Sequence, residues 1–167
     1  MRIRKLKIDD AEDLYEIAKG RKLRRWAINI PKFKTLRDVD EYIKKVNSSK
    51  KRIVFGISFR GKVVGCVSLR KINKRNKNAE LSYWIGEKYW GRGFATKAVK
   101  LALKFAFEKL KLHRIYAVTF EENVASRRVL EKNGFKFEGV SREVSFRYGK
   151  WRNKLRFGIL ESEWKHG

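Results

Sequence analysis

Residues 90–96 join two closely spaced glycines to the start of an apolar helix pattern, and such a segment can bind phosphate. Gly91 and Gly93 permit a tight turn and a close approach of the backbone to a ligand. The peptide N–H groups at the start of the helix, near Ala95 and Thr96, then point toward a bound anion. Two glycines before a helix are also ordinary turn chemistry, so this segment alone leaves both interpretations open. The first interpretation predicts a phosphate-bearing cofactor.

A second segment, EENVASRRVLEKNGF at residues 121–135, favours the phosphate-binding interpretation over an ordinary turn. Together with AELSYWIGEKYWGRGFAT at 79–96, it resembles motifs A and B of the GNAT N-acetyltransferase family. In that family the pyrophosphate of acetyl-CoA lies on a loop of the form (Gln/Arg)-x-x-Gly-x-(Gly/Ala), matched here by Gly93 and Ala95. The first position is Trp90, which removes one side-chain donor. Because most phosphate contacts come from backbone N–H groups, we expect weaker binding rather than none. The resemblance implies a cofactor site at Gly91, Arg92, Gly93, Ala95 and Thr96.

The resemblance extends over nearly all of the chain and is strongest to the RimJ/RimL-like branch, which includes protein N-terminal acetyltransferases. Four fragments carry it: AELSYWIGEKYWGRGFATKA, LKLHRIYA at 110–117, NVASRRVLEKNGF, and FEGVSREVSFRYGKWRNKLRFGIL. The branch usually has an acidic residue in the last fragment where this chain has Asn153. No role is therefore carried over to that position.

Acetyl transfer from a thioester to an amine has three chemical requirements. The amine must be neutral when it attacks, the carbonyl oxygen needs a hydrogen-bond donor, and the departing thiolate needs a proton. An α-amine, with a pKa of about 8, is easier to deprotonate near neutrality than a lysine amine, with a pKa of about 10.4. A buried pocket can lower a lysine pKa by several units, so the preference for protein N-termini is modest.

Glu80, at the start of the strand that leads into the glycine loop, is the predicted general base. The resemblance implies this role, because the RimJ/RimL-like branch has a glutamate at the matching position, acting directly or through water. The alternative is a solvated carboxylate at the strand edge, or an ion pair with Lys77 or Lys71. Both interpretations stay open.

The resemblance also implies the donor of the thiolate proton. Many GNAT enzymes use a tyrosine in motif B, and that position here is Leu130. The branch offers instead the serine of Asn-x-x-Ser, which is Ser126, three residues after Asn123 and on the same helix face. A serine in the first helical turn can equally bond the backbone, and this alternative stays open.

Asn123 is expected both to cap its helix and to bind the pantetheine arm of the cofactor, although a cap alone needs no further function. The resemblance places the oxyanion donor at a backbone N–H of Trp84 or Ile85, where the family separates this strand from its neighbour. The amides of pantetheine then pair with the open strand edge as a missing strand would.

The net charge of +25, from 43 Lys and Arg against 18 Asp and Glu, is very high for an enzyme of 167 residues. Such a field attracts polyanions, including CoA, and favours association with RNA or a ribosomal surface. It also repels a polycation, and the basic segment KGRKLRRW at 19–26 is expected beside the acceptor groove. The leading prediction is an acetyl-CoA-dependent N-acetyltransferase acting on protein or peptide N-termini, with ribosomal proteins among the candidates.

Two alternative functions stay open. Residues 110–157 also resemble spermidine acetyltransferases, which would make the acceptor a polyamine or another small amine. From a different class, an RNA- or ribosome-binding module could keep the fold, with pairs such as Arg147-Tyr148 and Trp151-Arg152 stacking on bases. Retention of Glu80, Asn123, Ser126 and the glycine loop favours the enzyme.

Composition narrows the remaining classes. No run approaches the ~18 apolar residues of a membrane span, so no membrane partner is expected. Cys66, the one cysteine, cannot form an internal disulfide and is predicted to be a small buried strand residue. His113 and His166, without a cysteine cluster, predict no metal site. We expect a cytoplasmic protein, either a monomer or a homodimer.

The pattern predicts one N-acetyltransferase domain over residues 1–167. The expected fold class is α/β (α+β), a GNAT-like central mixed, mostly antiparallel sheet of about seven strands with about four helices. In the first half, the pattern predicts a strand over 2–8, a helix opened by the capping box Asp9-x-x-Glu12, and a basic connector over 19–25. A second capping box, Thr35-x-x-Asp38, opens a helix with the apolar stripe Leu36, Val39, Ile43 and Val46. A hairpin over 52–72 follows and turns at Gly61-Lys62. The elements predicted in the second half are a strand over 79–86, a buried helix over about 92–110, a strand over 113–120, a helix from Asn123 to Asn133-Gly134, and two strands, 135–147 and 152–161, joined across Gly149-Lys150.

Overall fold

Seven strands form one mixed sheet in the order β1-β2-β3-β4-β5-β7-β6 in a computed structural model that describes residues 1–164. The strands are β1 (Arg2–Lys5), β2 (Ile53–Phe59), β3 (Lys62–Asn73), β4 (Asn78–Ile85), β5 (Arg114–Phe120), β6 (Lys136–Arg147) and β7 (Lys150–Leu160). All neighbouring strands are antiparallel except β4 and β5, which are parallel. This arrangement confirms the predicted sheet.

Five α-helices accompany the sheet in the part of the chain that the structure describes. They are α1 (Ala11–Ala18), α2 (Arg21–Trp26), α3 (Leu36–Asn47), α4 (Phe94–Lys104) and α5 (Val124–Lys132), and a π-helical turn over Phe105–Lys109 extends α4. Helix α3 begins with the predicted capping box, in which Thr35 and Asp38 each bond the other's backbone N–H. Four of the five helices correspond to predicted ones.

Helix α2 is the main correction to the predicted elements, because residues 19–25 were expected to form a connector. The segment consists mostly of Arg, Lys and Leu, which have favourable helix propensity. Leu23 is buried, and its backbone N–H donates to the Glu87 carboxylate at 2.9 Å. A carboxylate from the 3₁₀ turn Glu87–Tyr89, distant in sequence, thus satisfies a free N–H at the start of this short helix.

Two predictions about helix starts and faces were wrong. No Asp9-Glu12 capping box opens α1, because a 3₁₀ turn precedes the helix and the Asp10 carboxylate accepts the Lys7 N–H at 2.7 Å. Leu36 was expected in the apolar stripe of α3 but is exposed. It lies at the first position of the helix, outside the buried face formed by Val39, Ile43 and Val46.

Apolar side chains pack on both faces of the sheet. One cluster joins the strands to α4 and α5 through residues such as Ala98, Val99 and Leu130. The other joins them to α1 and α3 through Leu14, Val39 and Ile43, and it contains Cys66, which is buried as predicted. In β3, Cys66 lies in the second cluster and its neighbour Val67 in the first, as the alternation of side chains in a strand requires.

The sheet opens into a gap between β4 and β5. The two strands pair over four positions, Asn78 to Leu81 opposite Arg114 to Ala117. Strand β4 continues to Ile85 and β5 to Phe120 without further pairing between them. Backbone groups on the facing edges beyond Leu81 are therefore available to a ligand, and this gap positions the candidate site.

Candidate active site

A cavity of about 660 Å³ lies where β4 and β5 diverge. Its walls come from the last part of β4, the glycine loop with the start of α4, β5 with the start of α5, and the end of α2 with the residues that follow it. The nine candidate residues other than Glu80 all line it, and Glu80 lies at its edge, where a second cavity begins. The fold thus brings together the complete set of residues that the sequence proposed for cofactor and chemistry.

The glycine loop has the geometry of an anion-binding turn. Gly91 and Gly93 have φ values of +76° and +72°, in the left-handed region, and a Cβ built at either would meet nothing within 4 Å. Gly93 immediately precedes α4, whose first bond runs from the Lys97 N–H to the Gly93 carbonyl at 3.1 Å. The N–H groups of residues 94–96 therefore have no acceptor within the helix and can bind an anion.

Trp90, the departure from the family's loop pattern, supports the loop itself. Its indole N–H donates to the Ile85 carbonyl at 2.7 Å, which connects the loop to the end of β4. The ring remains 42% exposed. This hydrogen bond therefore stabilises the loop, and it occupies the Ile85 carbonyl, one of the acceptors at the open edge of β4.

The backbone groups of β4 alternate between its two edges. The Gly86 N–H donates to the Val64 carbonyl of β3 at 2.9 Å, so even-numbered residues at this end of β4 face β3. Tyr83 and Ile85 consequently direct their N–H groups into the gap. Trp84 directs its own toward β3, and its side chain packs in the cluster with α1 and α3. Of the two proposed oxyanion donors, the geometry favours Ile85.

Asn123 caps α5 and also faces the cavity. Its side-chain oxygen accepts the Ser126 N–H at 3.1 Å, as a cap requires. Its amide N–H groups have no partner within residues 1–164, and the residue lines the cavity. One side chain thus has an occupied acceptor and a free donor at the cavity wall.

Tyr83 forms a hydroxyl pair with Ser126 that sequence reasoning missed. The Tyr83 hydroxyl lies 2.8 Å from the Ser126 hydroxyl and 3.1 Å from its carbonyl oxygen. Burial raises the pKa of Tyr83, against the opposing effect of the Ser126 hydrogen bond, so the phenol stays protonated. Leu130, the motif B position considered for a proton donor, is 1% exposed and packs in the core. Because Tyr83 lies on β4 and Ser126 on α5, no local sequence pattern linked the two residues.

Three basic side chains also line the 660 Å³ cavity between β4 and β5, the candidate cofactor cavity. Arg92 lies in the glycine loop, and Arg128 and Lys132 lie one turn apart on α5. Their spacing of four residues places the latter two on one helix face. Sequence reasoning identified Arg92 but missed the pair, although this spacing was a readable signal. These charges suit a ligand with several phosphates.

Glu80 lies at the junction of the cofactor cavity and a second cavity of about 430 Å³. The residue is buried, and its carboxylate lies 2.8 Å from Lys71 Nζ and 3.8 Å from Arg70 Nη1. The hydrogen bond to Glu80 raises the pKa of Lys71. The ion pair with Lys71 that the sequence left open is thus present, and the carboxylate still faces both cavities.

Other expectations concern residues away from the cavities. Asn153 accepts the Glu143 N–H at 2.8 Å and donates to Glu121 at 2.9 Å, which connects β7 to a bulge in β6. No group of three His, Cys, Asp or Glu residues suited to a metal occurs within residues 1–164, and His166 lies outside the described residues. In the same range, no helix is long and apolar enough to cross a membrane.

Comparison with known proteins identifies similar sequences over most of the chain. Residues 1–136 match the family described as the acetyltransferase (GNAT) domain. A candidate ribosomal N-acetyltransferase of Bacillus subtilis (strain 168), YdaF, is 32% identical over 110 residues, which span 66% of this chain and 60% of that protein. Spermidine N(1)-acetyltransferase of Escherichia coli (strain K12) is 27% identical over 164 residues, which span 98% of this chain and 88% of that protein.

Solved structures share the fold closely. Spermidine N-acetyltransferase from Vibrio cholerae, solved in complex with CoA and spermine, superposes with a TM-score of 0.87 at 26% identity, over 97% of this chain and 96% of that one. An acetyltransferase (GNAT family) from Bacillus anthracis superposes with a TM-score of 0.83 at 28% identity, over 96% and 95%. The whole sheet and its gap therefore lie within the region of similarity.

Proposed function

Since the chain belongs to the GNAT acetyltransferase family, and is accordingly an acetyl-CoA-dependent N-acetyltransferase, we propose that its acceptor is the N-terminal α-amine of a protein or peptide. The observation that carries the proposal is the charge of the second cavity, which adjoins Glu80. Five cationic side chains and only two carboxylates from residues 1–164 line this second cavity. A polyamine would bring further cations into this positive cavity, whereas a peptide N-terminus brings one amine and no obligatory second cation.

The proposed binding of acetyl-CoA follows the geometry of the gap between β4 and β5. The pyrophosphate binds the free N–H groups after Gly93, and the basic side chains on α5 neutralise the phosphates. Pantetheine pairs with the open edge of β4 and with the free amide of Asn123. The thioester then lies near Tyr83 and Ile85, whose N–H groups point into the gap, and the Ile85 N–H serves as the oxyanion donor.

The proposed chemistry needs one residue to accept a proton from the acceptor amine and another to donate a proton to the departing thiolate. Glu80 accepts the proton that the acceptor amine loses, directly or through water, because it is the carboxylate at the junction of the two cavities. Ser126 supplies a proton to the thiolate of CoA and regains one from solvent, to which Glu80 releases the proton that it accepted. Tyr83 acts as its positioning residue: the two hydroxyls lie 2.8 Å apart, so Tyr83 can donate to Ser126 while Ser126 donates to sulfur.

We expect Ser126→Ala to lower kcat about a hundredfold and Tyr83→Phe about tenfold, with little change in KM for acetyl-CoA. The double variant should be no slower than Ser126→Ala alone, because Tyr83 acts through the serine hydroxyl. Steady-state kinetics on the four proteins measure this cycle. Effects that simply multiply would show that Tyr83 has a separate role, such as supporting the start of α5.

A polyamine acceptor is the second candidate, favoured by the similarity to spermidine acetyltransferases over nearly the whole chain. Within the second cavity, however, both lining carboxylates already contact arginine or lysine. Recognition of a polycation requires carboxylates that are free to pair with it. Association with RNA or a ribosome is a third candidate, and it depends on the net charge of +25.

Competition between acceptors tests the proposed function. At low salt we expect peptides with neutral or acidic second and third residues to be acetylated faster than spermidine at equal concentration. Raising the salt to ~0.5 M should shrink the preference, because screening shortens the range of the field to a few ångströms. Mass spectrometry of the mixed products measures both rates. Faster acetylation of spermidine at every salt concentration would reject the N-terminal acceptor and leave the acetyl-CoA site intact.

A further inference from the structure

The second cavity contains more positive charge than its own carboxylates can neutralise. The residues that line it include Arg70, Lys71, Arg114, Lys154 and Arg156 as cations, with Glu80 and Glu138 as the carboxylates. This imbalance is local, since all seven side chains border one cavity of about 430 Å³. It is therefore a property of the proposed acceptor site and does not simply restate the net charge of the chain.

Both carboxylates are already occupied by neighbouring cations. Glu138 forms a two-pronged pair with Arg114, with N–O distances of 2.5 Å and 2.6 Å. Glu80 pairs with Lys71 at 2.8 Å and lies 3.8 Å from Arg70. Two of the five cations, those on β7, have no carboxylate partner within residues 1–164. These two are Lys154 and Arg156.

Lys154 is a half-buried ammonium group without a hydrogen bond or ion pair in the described part of the chain. Its Nζ lies 5.6 Å from the centre of the Phe120 ring. Burial lowers the pKa of Lys154, the nearby Arg147 adds to this effect, and the more weakly interacting Glu80 carboxylate opposes it. Removing an ammonium group from water is unfavourable unless an anion accompanies it. Because Glu80 already pairs with Lys71 and Arg70, a further anion is expected to come from outside the chain.

The other cations also have unused hydrogen-bond donors. Arg156 is exposed and donates through Nε to the Ser141 hydroxyl at 2.8 Å, which leaves its two terminal NH₂ groups without a protein partner among residues 1–164 and open to a ligand. The Nη1 atom of Arg70 is buried and has no hydrogen-bond partner there. Guanidinium and ammonium donors left in this state are suited to a carboxylate, which can accept from several of them at once.

We infer that this cavity binds a carboxylate of the acceptor, supplied by an Asp or Glu side chain at the second or third position of a protein N-terminus. The inference rests on the proposed function, because it takes the reacting amine to lie beside Glu80. One residue of extended peptide spans about 3.4 Å, so a side chain one or two residues from the amine reaches the neighbouring cavity. Lys154 and Arg156 are then specificity-determining residues that bind the substrate.

Matched peptides test this inference. The acceptors are peptides that begin Ser-Asp-Glu, the same peptides with Ser-Asn-Gln, and free aspartate, each assayed with acetyl-CoA for kcat/KM. We expect the acidic peptide to exceed its amide counterpart by about tenfold to a hundredfold, as charge-assisted hydrogen bonds to otherwise unpaired cations allow. Lys154→Met and Arg156→Gln should each reduce this ratio, and Lys154→Arg should largely retain it. Lys62→Gln removes one positive charge at the distant β2–β3 turn and should leave the ratio unchanged.

The outcomes separate the inference from the proposed function. Equal rates for the acidic and amide peptides would overturn the inference while the peptide acceptor stands. Equal reduction of both rates in Lys154→Met, with an unchanged ratio and an unchanged melting temperature, would also overturn it. Preference for free aspartate over every peptide would keep the carboxylate site but reject the peptide as its source. If spermidine alone is acetylated, both proposals fail.

Discussion

Gly93→Val is expected to lower the affinity for acetyl-CoA about a hundredfold or more from the micromolar range common for cosubstrates. Two effects combine. A β-branched residue resists the φ of +72° at this position, and its side chain enters the open space that the pyrophosphate is proposed to occupy. Several hydrogen bonds from the N–H groups of residues 94–96 are lost together. Isothermal titration with acetyl-CoA measures the change.

Gly61 provides a matched control for this variant. It has a φ of +81°, and a Cβ built there would also meet nothing within 4 Å, but it lies in the β2–β3 turn. Gly61→Val should therefore reproduce the backbone strain and leave acetyl-CoA affinity unchanged. If Gly93→Val binds acetyl-CoA as tightly as Gly61→Val does, the glycine loop is not the pyrophosphate site.

Glu80→Gln should lower kcat by about 10²–10⁴ if Glu80 accepts the proton of the acceptor amine. The substitution keeps the shape of the side chain and removes its basicity. Affinity for acetyl-CoA should stay as in the unaltered protein, because Glu80 lies at the edge of the cofactor cavity and away from the glycine loop. Rates over a range of pH, together with titration of acetyl-CoA, separate the two effects.

Lys71→Met serves as the control for Glu80→Gln. It breaks the same ion pair, at 2.8 Å, from the lysine side and leaves the carboxylate in place. If Glu80 is structural, both variants should lose stability to a similar extent, and neither should lose much activity below its melting temperature. If Glu80 is the base, Glu80→Gln should be far slower than Lys71→Met.

Much of the cofactor site was predictable because it depends on local chemistry. A glycine at φ +72° before a helix and an asparagine that caps the next helix are both signalled by a few consecutive residues. The alternating strands and the Gly61 turn likewise predicted the neighbours β2 and β3. The residues proposed for chemistry lie close together because the strands and helices that contain them form as predicted.

What the sequence did not reveal depends on contacts between distant segments. The Tyr83 hydroxyl meets Ser126 only because β4 and α5 lie across the same gap. Helix α2 receives its capping carboxylate from Glu87, more than sixty residues away in a chain of 167. The pairing of Arg114 with Glu138, and the lack of an ion-pair partner for Lys154 among residues 1–164, likewise follow from sheet register. Local patterns cannot specify which cations remain unpaired.

The four paired positions between β4 and β5 are the whole ladder that joins β1–β4 to β5–β7 within residues 1–164. A cofactor bound across the gap adds a second connection between these two parts of the sheet. A ligand that binds only the folded chain stabilises it by about 2.7 kcal/mol at a hundred times its dissociation constant. Proteolysis often follows the population of opened forms, so we expect this protein to be degraded more slowly in the cell when its cofactor is bound. A shortage of acetyl-CoA and CoA would then lower the amount of enzyme as well as its rate.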